Sequence, residues 1–494
     1  MLILGTCAQR SGDRHALVKY KSDLRAKGEK LTLAELGYPR EPESSGSFEL
    51  LLSNANRFSG RRLDPGMLNL ISLVEPGKAQ VAWQMPQPPL DQSGTSKSNE
   101  LTWEGYSREF LMAADTLEAI REATQTPPRY FFHDPTNWAN QPPSPFVGMR
   151  RAAQWLSGDA IAALHEGDLD RARADLHALA QLARFNRDDL TLISQMIRVA
   201  IAGLGLAVTW EALQSPGWSE EALMAMQEDW ESLELGNAVE NGMLGERAFG
   251  EAAFSQMRSA GATAATRFGG FGPAGATTSW KDYFDAWVLM PIWKANSRDD
   301  ERLFLEHHQR SLDSLRKLQS GTPWPDIDRE LKAHALVLDE AFNSFFAKVR
   351  YRFSVPAIPN SMRAAKSSIR NETERRLTVT AIAIERHRLR HGRFPTDLTA
   401  LTPELLSIVP LDPMCSQPLR YRLNADATFT LYSVGEDGRD DGGDPNPHSA
   451  TNRLDSWSGR DAVWPVPEQR PAPVSPESAA IERLEPVRIL TRRR

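Results

Sequence analysis

The run Ile384-Glu385-Arg386-His387-Arg388-Leu389-Arg390-His391-Gly392-Arg393-Phe394-Pro395 decides how the chain is read. It is the end of a helix: Gly392 is free to take the left-handed conformation that caps one, and Pro395 then prevents continuation. The helical period runs back from here to about Ser361. Downstream the period changes from helical to alternating. Leu419–Leu423 and Phe429–Ser433 flank the short polar run Asn424–Ala427, a hairpin signal. The second strand leads into Gly435-Glu436-Asp437-Gly438-Arg439-Asp440-Asp441-Gly442-Gly443-Asp444, a tight acidic loop. A long helix followed by an antiparallel hairpin predicts a small α+β domain over residues 361–466.

Upstream, Pro356 and Pro359 interrupt the helical pattern and set a boundary. Residues 101–353 read as an all-α domain. Tyr106, Phe110, Ala113, Leu117 and Ile120 define one amphipathic helix, closed by Pro127 and Pro128. Phe131–Pro145 is a loop with aromatic anchors. Two helices then meet at His165-Glu166-Gly167-Asp168. That phrase is similar to the hairpin of tetratricopeptide repeats, but no second copy follows at a regular period, so a single helical hairpin is predicted. Leu190–Trp210 is the most apolar stretch. Gln195 and Arg198 near its middle are costly in hydrocarbon, so it is read as a central buried helix, with Gly203 and Gly205 suited to close packing. Ser219, followed by Glu220 and Glu221, marks a clean helix start. Arg258–Ser279 reads as a loop, followed by helices over Lys281–Ala295, Arg298–Leu318 and Asp326–Tyr351.

Residues 1–100 carry a short helix over His15–Ala26 and a capping box at Thr32–Glu35. An irregular stretch follows from Arg40 to Asn99, in which Val81–Met85 is a lone strand or extended segment. Met1–Ala8 is apolar and precedes Arg10 and Arg14. This fits both the tail of a membrane anchor whose true start lies upstream and a plain apolar terminus. Residues 467–494 are proline-rich and polar and read as a disordered tail. The fold class expected is mainly α and multi-domain, an all-α body followed by a small α+β domain.

Composition narrows the function classes. The 494 residues exceed one typical core. Lys+Arg 58 against Asp+Glu 64 gives a net charge of -6, too balanced for a general nucleic-acid or membrane-surface binder. Two cysteines, Cys7 and Cys415, can build neither a disulfide framework nor a thiolate zinc cluster.

The order Ala383–Pro395, Leu398, Leu401, Val409-Pro410-Leu411-Asp412-Pro413, Pro418–Tyr421 and Tyr432–Gly438 resembles the soluble domain of type II secretion major pseudopilins. The resemblance covers about Arg376 to Asp444. It implies a long helix packed on a small antiparallel sheet, with calcium held by a C-terminal loop in which Asp437 takes a ligand position. Two features depart from that family. The apolar polymerising helix is replaced by charged sequence over Ser361–Arg376, and Met414-Cys415-Ser416 stands where the family has Trp-Gly-Asn. Filament assembly is therefore not expected. The overall plan resembles bacterial envelope proteins with an N-terminal anchor, a helical middle and this C-terminal module.

Four candidate calcium ligands follow, Asp437, Asp440, Asp441 and Asp444, on a backbone that Gly438, Gly442 and Gly443 let turn sharply. Other patterns are weaker. Gly270–Gly275 matches a dinucleotide fingerprint in letters only, since Pro273 removes a donor and no strand precedes it. His387 and His391 stand one turn apart but among arginines. Glu306-His307-His308 lacks the spacing of a zinc-protease helix. Arg363, Lys366, Arg370 and Arg375 form a basic helix face, open to an acidic partner or salted by Glu372, Glu374 and Glu385.

No catalytic signature is legible. The expected function is a non-enzymatic structural or interaction protein of the cell envelope, on the periplasmic side, partnered by other envelope proteins and not by nucleic acid. The alternatives are an enzyme with its site in the helical domain, or a binding component of a secretion apparatus. Acidic and histidine residues converging on a deep pocket would favour the enzyme, and a smooth apolar groove would favour binding.

Overall fold

The computed structural model describes residues 2–38, 46–59, 68–89, 102–127, 146–185, 187–259, 288–341, 343–449 and 454–468. The expected aromatic loop Phe131–Pro145, the Gly270–Gly275 run, nearly all of Arg258–Ser279 and the tail beyond 468 lie outside these residues.

The architecture is mainly helical. The helices are α1 (Leu2–Ala26), α2 (Leu33–Leu36), α3 (Gly46–Asn56), α4 (Trp103–Leu111), α5 (Ala114–Thr124), α6 (Phe146–Glu166) and α7 (Leu169–Leu182). They continue with α8 (Leu192–Leu213), α9 (Glu220–Glu231), α10 (Ala238–Ser259), α11 (Met290–Gln319), α12 (Trp324–Ala341), α13 (Phe345–Arg350) and α14 (Ser354–His391). Among the described residues eight short strands make three small sheets: β1 (Ser72–Glu75), β2 (Lys78–Gln80) and β8 (Val466–Pro467); β3 (Leu411–Asp412) and β4 (Gln417–Pro418); β5 (Arg420–Leu423), β6 (Phe429–Ser433) and β7 (Ala462–Val463).

Local chemistry sets the elements. Thr32 and Glu35 form the capping box, Ser219 accepts the Ala222 N–H, and Gly392 takes φ 70° while donating to the Arg388 carbonyl. α6 and α7 form the expected hairpin, with Asp168 accepting the Arg171 N–H at 3.1 Å. The 420–433 hairpin pairs in register from Arg420↔Tyr432 to Leu423↔Phe429.

Several elements differ from expectation. The single helix read over Tyr106–Ile120 divides at Met112–Ala113, though no glycine or proline marks the break. The two helices read over 281–318 are one from Met290 onward. Asn296 and Ser297, which look like a break, turn their side chains back onto the carbonyls of Ile292 and Lys294. The helix read over Asp326–Tyr351 is instead two, the second capped by Ser344. Pro356 and Pro359 do not interrupt α14; Pro356 falls in its first turn, where a helix N–H has no partner to lose. Val81–Met85 is not a strand, because Ala82–Gln84 forms a short 3-10 turn.

α8 lies at the centre, packed by α6, α7, α10 and α14. It is the one described helix long and apolar enough to cross a membrane. Its Arg198 is buried and donates to the Ala183 and Arg187 carbonyls and to Gln195. The largest hydrophobic cluster is continuous across the 353/361 position: Val199, Leu206 and Trp230 share it with Ile382 and Ile384 of α14 and with Leu398, Leu401 and Leu431 beyond. α14 thus serves both the helical body and the strands that follow it.

Candidate binding cleft

Small residues set where α8 can be approached. A Cβ on Gly205 would fall 2.5 Å from the Trp230 ring, and one on Gly203 would fall 2.3 Å from Asn371 Oδ1 of α14. Close packing at Asn371 leaves a cleft where the two helices diverge. Leu206, Ala207 and Trp210 of α8 form one wall, and Glu374, Leu377 and Thr378 of α14 the other. Asn69–Leu73 closes one side, and the segments Leu454–Trp457 and Ala462–Pro465 close the other. The cavity holds about 500 Å3.

The chain from Ala462 to Glu468 is a strap over this region. β7 pairs antiparallel with β6, and β8 pairs in parallel with β2. Trp464 N–H donates to the Leu431 carbonyl at 2.9 Å, and Trp210 Nε1 donates to the Pro465 carbonyl at 2.9 Å. Val466 and Glu468 donate to the carbonyls of Gly77 and Ala79. Pro467, expected in a disordered tail, is therefore part of a sheet, and Glu468 is held beside it by its bond to Ala79. On the far side of the strap a second cavity of about 580 Å3 includes Leu213, Ala381, Phe394 and Phe429 in its lining. Sequence reading missed both the β1–β2 hairpin and the strap. Pro76-Gly77, with Gly77 at φ 74°, was a turn signal for the first; strand pairing across nearly 400 residues leaves no local signal for the second.

Two carboxyls frame the cleft, Glu211 fully buried and Glu374 half-buried. Glu211 accepts the Ala82 N–H at 2.8 Å and the Ile71 N–H at 3.4 Å, tying the hairpin wall to α8. Burial pushes its carboxyl up to about 8. Glu374, expected to salt a basic helix face, instead lines the cleft and accepts Trp457 Nε1 at 2.6 Å. Burial raises its carboxyl as well.

A second cleft of about 620 Å3 opens beside α4, α6 and α7. Arg121 reaches both Asp159 and Asp175, and Arg171 Nε lies 3.6 Å from Asp159. Burial raises both aspartates, Asp175 further because Asp159 stands beside it. The His165 ring stacks on Trp103 with centroids 3.9 Å apart, and its Nδ1 is 2.8 Å from the Trp83 carbonyl. A carbonyl only accepts, so Nδ1 carries the proton there.

The acidic loop is arranged differently from a cation cage. Arg420 and Tyr432 donate to Asp440, whose carboxyl is lowered first by the Arg420 hydrogen bond. The backbone and side chain of Asn446 donate to Asp444, with Arg460 at 3.3 Å. Asp437 accepts the Arg439 N–H and lies 3.4 Å from His448. The N–H groups of Asp441, Gly443 and Asp444 turn inward to one buried carboxylate, Asp461. Among the described residues no three His, Cys, Asp or Glu side chains come together as metal ligands. An inward-facing row of N–H groups suits an anion, here Asp461, so the loop does not fit the calcium ligand set that the resemblance implies.

The remaining motifs are structural in setting. Lys366 and Arg370 pair with Glu436, and Arg375 pairs with Glu372, so that part of the basic face is salted. His387 Nδ1 lies 3.1 Å from the Arg393 carbonyl. His307 is buried with no hydrogen-bond partner among the described residues, stacked on His334, and burial pushes it down to about 3.

No family model matches the sequence, and no curated protein or solved structure is significantly similar to it.

Proposed function

We propose that the protein is a non-enzymatic binding protein whose cleft between α8 and α14 takes a small amphipathic ligand. The observation that carries this reading is the mixed lining: apolar side chains on every wall, with the polar Asn69, Ser72, Glu374, Thr378, Asp455 and Ser456 set among them, in a cavity of about 500 Å3. That volume and composition suit a bound small molecule. The second cleft supports an enzyme less well, because its arginines and aspartates are already turned on one another. A place in the cell envelope beside other envelope proteins remains the setting that the pseudopilin resemblance suggests for such a binder.

Titration of the full chain with the neutral dye N-phenylnaphthylamine tests the reading. Saturable fluorescence enhancement is expected, and Ala207→Trp, which fills the cleft, should abolish it with unchanged circular dichroism. Absence of saturable binding, or equal binding by a folded Ala207→Trp variant, would overturn the proposal.

A further inference from the structure

We infer that the ligand of this cleft is an organic ammonium ion with an apolar body, an inference that rests on the binding reading above. Charge selects the class. Among the described residues the lining includes two carboxylates, Glu374 and Asp455, and no Lys, Arg or His. The cations nearest in sequence on α14 are committed elsewhere: Arg370 pairs with Glu436, and Arg375 and Arg376 pair with Glu372. Among the described residues Glu374 has no ion-pair partner. Trp457 Nε1 holds Oε1 at 2.6 Å, and no described group donates to Oε2.

Aromatic surface points the same way. Trp210, Trp457 and Trp464 all line the cleft. Trp210 is fully buried behind the wall, its N–H on the Pro465 carbonyl, while the half-buried Trp457 spends its N–H on Glu374, which leaves its ring as contact surface beside that of Trp464. The Arg370 guanidinium already sits 5.3 Å from the Trp457 ring centroid, so this ring holds a cation within the protein itself. A carboxylate beside indole faces is an environment that attracts alkylammonium groups through charge and ring quadrupole together. A partly buried carboxylate whose neighbouring cation, Arg370, is bridged to Glu436 is incompletely compensated, and a bound ammonium offsets the remaining cost. An anionic ligand would meet two like charges and no cation among the described lining residues.

Calorimetric titration of the full chain with octylammonium, octanol and octanoate, each below its micelle concentration, separates the ligand class from the cleft itself. Octylammonium is expected to bind about tenfold tighter than octanol, with octanoate weakest. Glu374→Gln, which keeps an acceptor for Trp457, should bring octylammonium to the octanol affinity while octanol binding is unchanged. Equal binding of all three compounds, each lost in Ala207→Trp, would overturn the ammonium inference and leave the cleft reading standing. Octylammonium binding that persists in Ala207→Trp would place the cation elsewhere and overturn the inference. No binding of any of the three, with no displacement of N-phenylnaphthylamine, would sink both readings.

Discussion

The cleft between α8 and α14 encloses about 500 Å3 and the one beside α4, α6 and α7 about 620 Å3, yet they treat charge in opposite ways. In the larger one Arg121 and Arg171 face Asp159 and Asp175, and the aspartates are buried against the helix pair that carries them. The charges there hold α5, α6 and α7 together. In the smaller one Glu374 has no ion-pair partner among the described residues, and the nearby Arg370, whose charge reaches it, is bridged to Glu436. Raised carboxyls occur in both, so a perturbed acid does not by itself distinguish a site from a brace. The distinction lies in whether a charge already has its counter-charge.

The largest expected effect comes from breaking the brace. Arg121→Met leaves Asp159 and Asp175 buried beside each other without their shared cation, which costs about 3–5 kcal/mol by analogy with other buried pairs. Urea unfolding followed by circular dichroism should show it as a lower midpoint. Adding Asp159→Asn and Asp175→Asn to Arg121→Met should recover most of the loss. A single variant as stable as the parent chain would mean that the cluster is not a brace, and its cleft would then compete with the apolar one as the binding site.

Changing Glu211 acts on the wall of the apolar cleft. Its carboxyl is raised from the ordinary 4.5 to about 8 by burial, so the folded chain keeps a proton that the unfolded chain releases. That contribution is fully present below about pH 4.5 and is lost as the pH rises through about 8. Glu211→Gln removes the titration and keeps an acceptor for the Ala82 N–H, giving up only the longer bond from Ile71 to the other oxygen. It should therefore stabilise the chain by about 1–3 kcal/mol at pH 8.5, with little change at pH 5. Unfolding midpoints at the two pH values would check this, and an equal shift at both would remove the burial argument.

Much of the helical body was legible from the sequence because its signals are local. Ser219, the Thr32–Glu35 box and Gly392 act within one turn of themselves, and the 420–433 hairpin closes over a few residues. The cleft was not legible. Its walls come from residues 69–73, 203–210, 374–378 and 454–465, and nothing in any one segment encodes the meeting. Glu374 shows the difficulty: its spacing puts it among the charges of α14, and only the packing of Trp457 reveals that it faces inward. The acidic loop misled in the opposite sense. Its aspartates read as converging ligands, but the glycines turn the backbone so that N–H groups point inward to Asp461, which lies well beyond the motif.

The smallest effect is expected at the strap, and it bears on how the two cavities beside it stay apart. Trp210 is fully buried, and its Nε1 holds the Pro465 carbonyl at 2.9 Å, fixing the strap between β7 and β8. Trp210→Phe keeps an aromatic ring on the wall but removes that donor, leaving a carbonyl without its partner. The expected cost is about 1 kcal/mol of global stability. The local effect should exceed the global one, because β7 and β8 are each only two residues long and have little pairing to replace the lost bond. Amide exchange should therefore quicken at Val466 and Glu468, which donate to Gly77 and Ala79, while exchange within α8 is unchanged. Faster exchange confined to the strap would mean that the strap opens independently and that the two cavities are halves of one groove. Uniform acceleration in strap and α8 alike would mean that the strap is an inseparable part of the core, and the 500 Å3 cleft would then stand alone as the binding site.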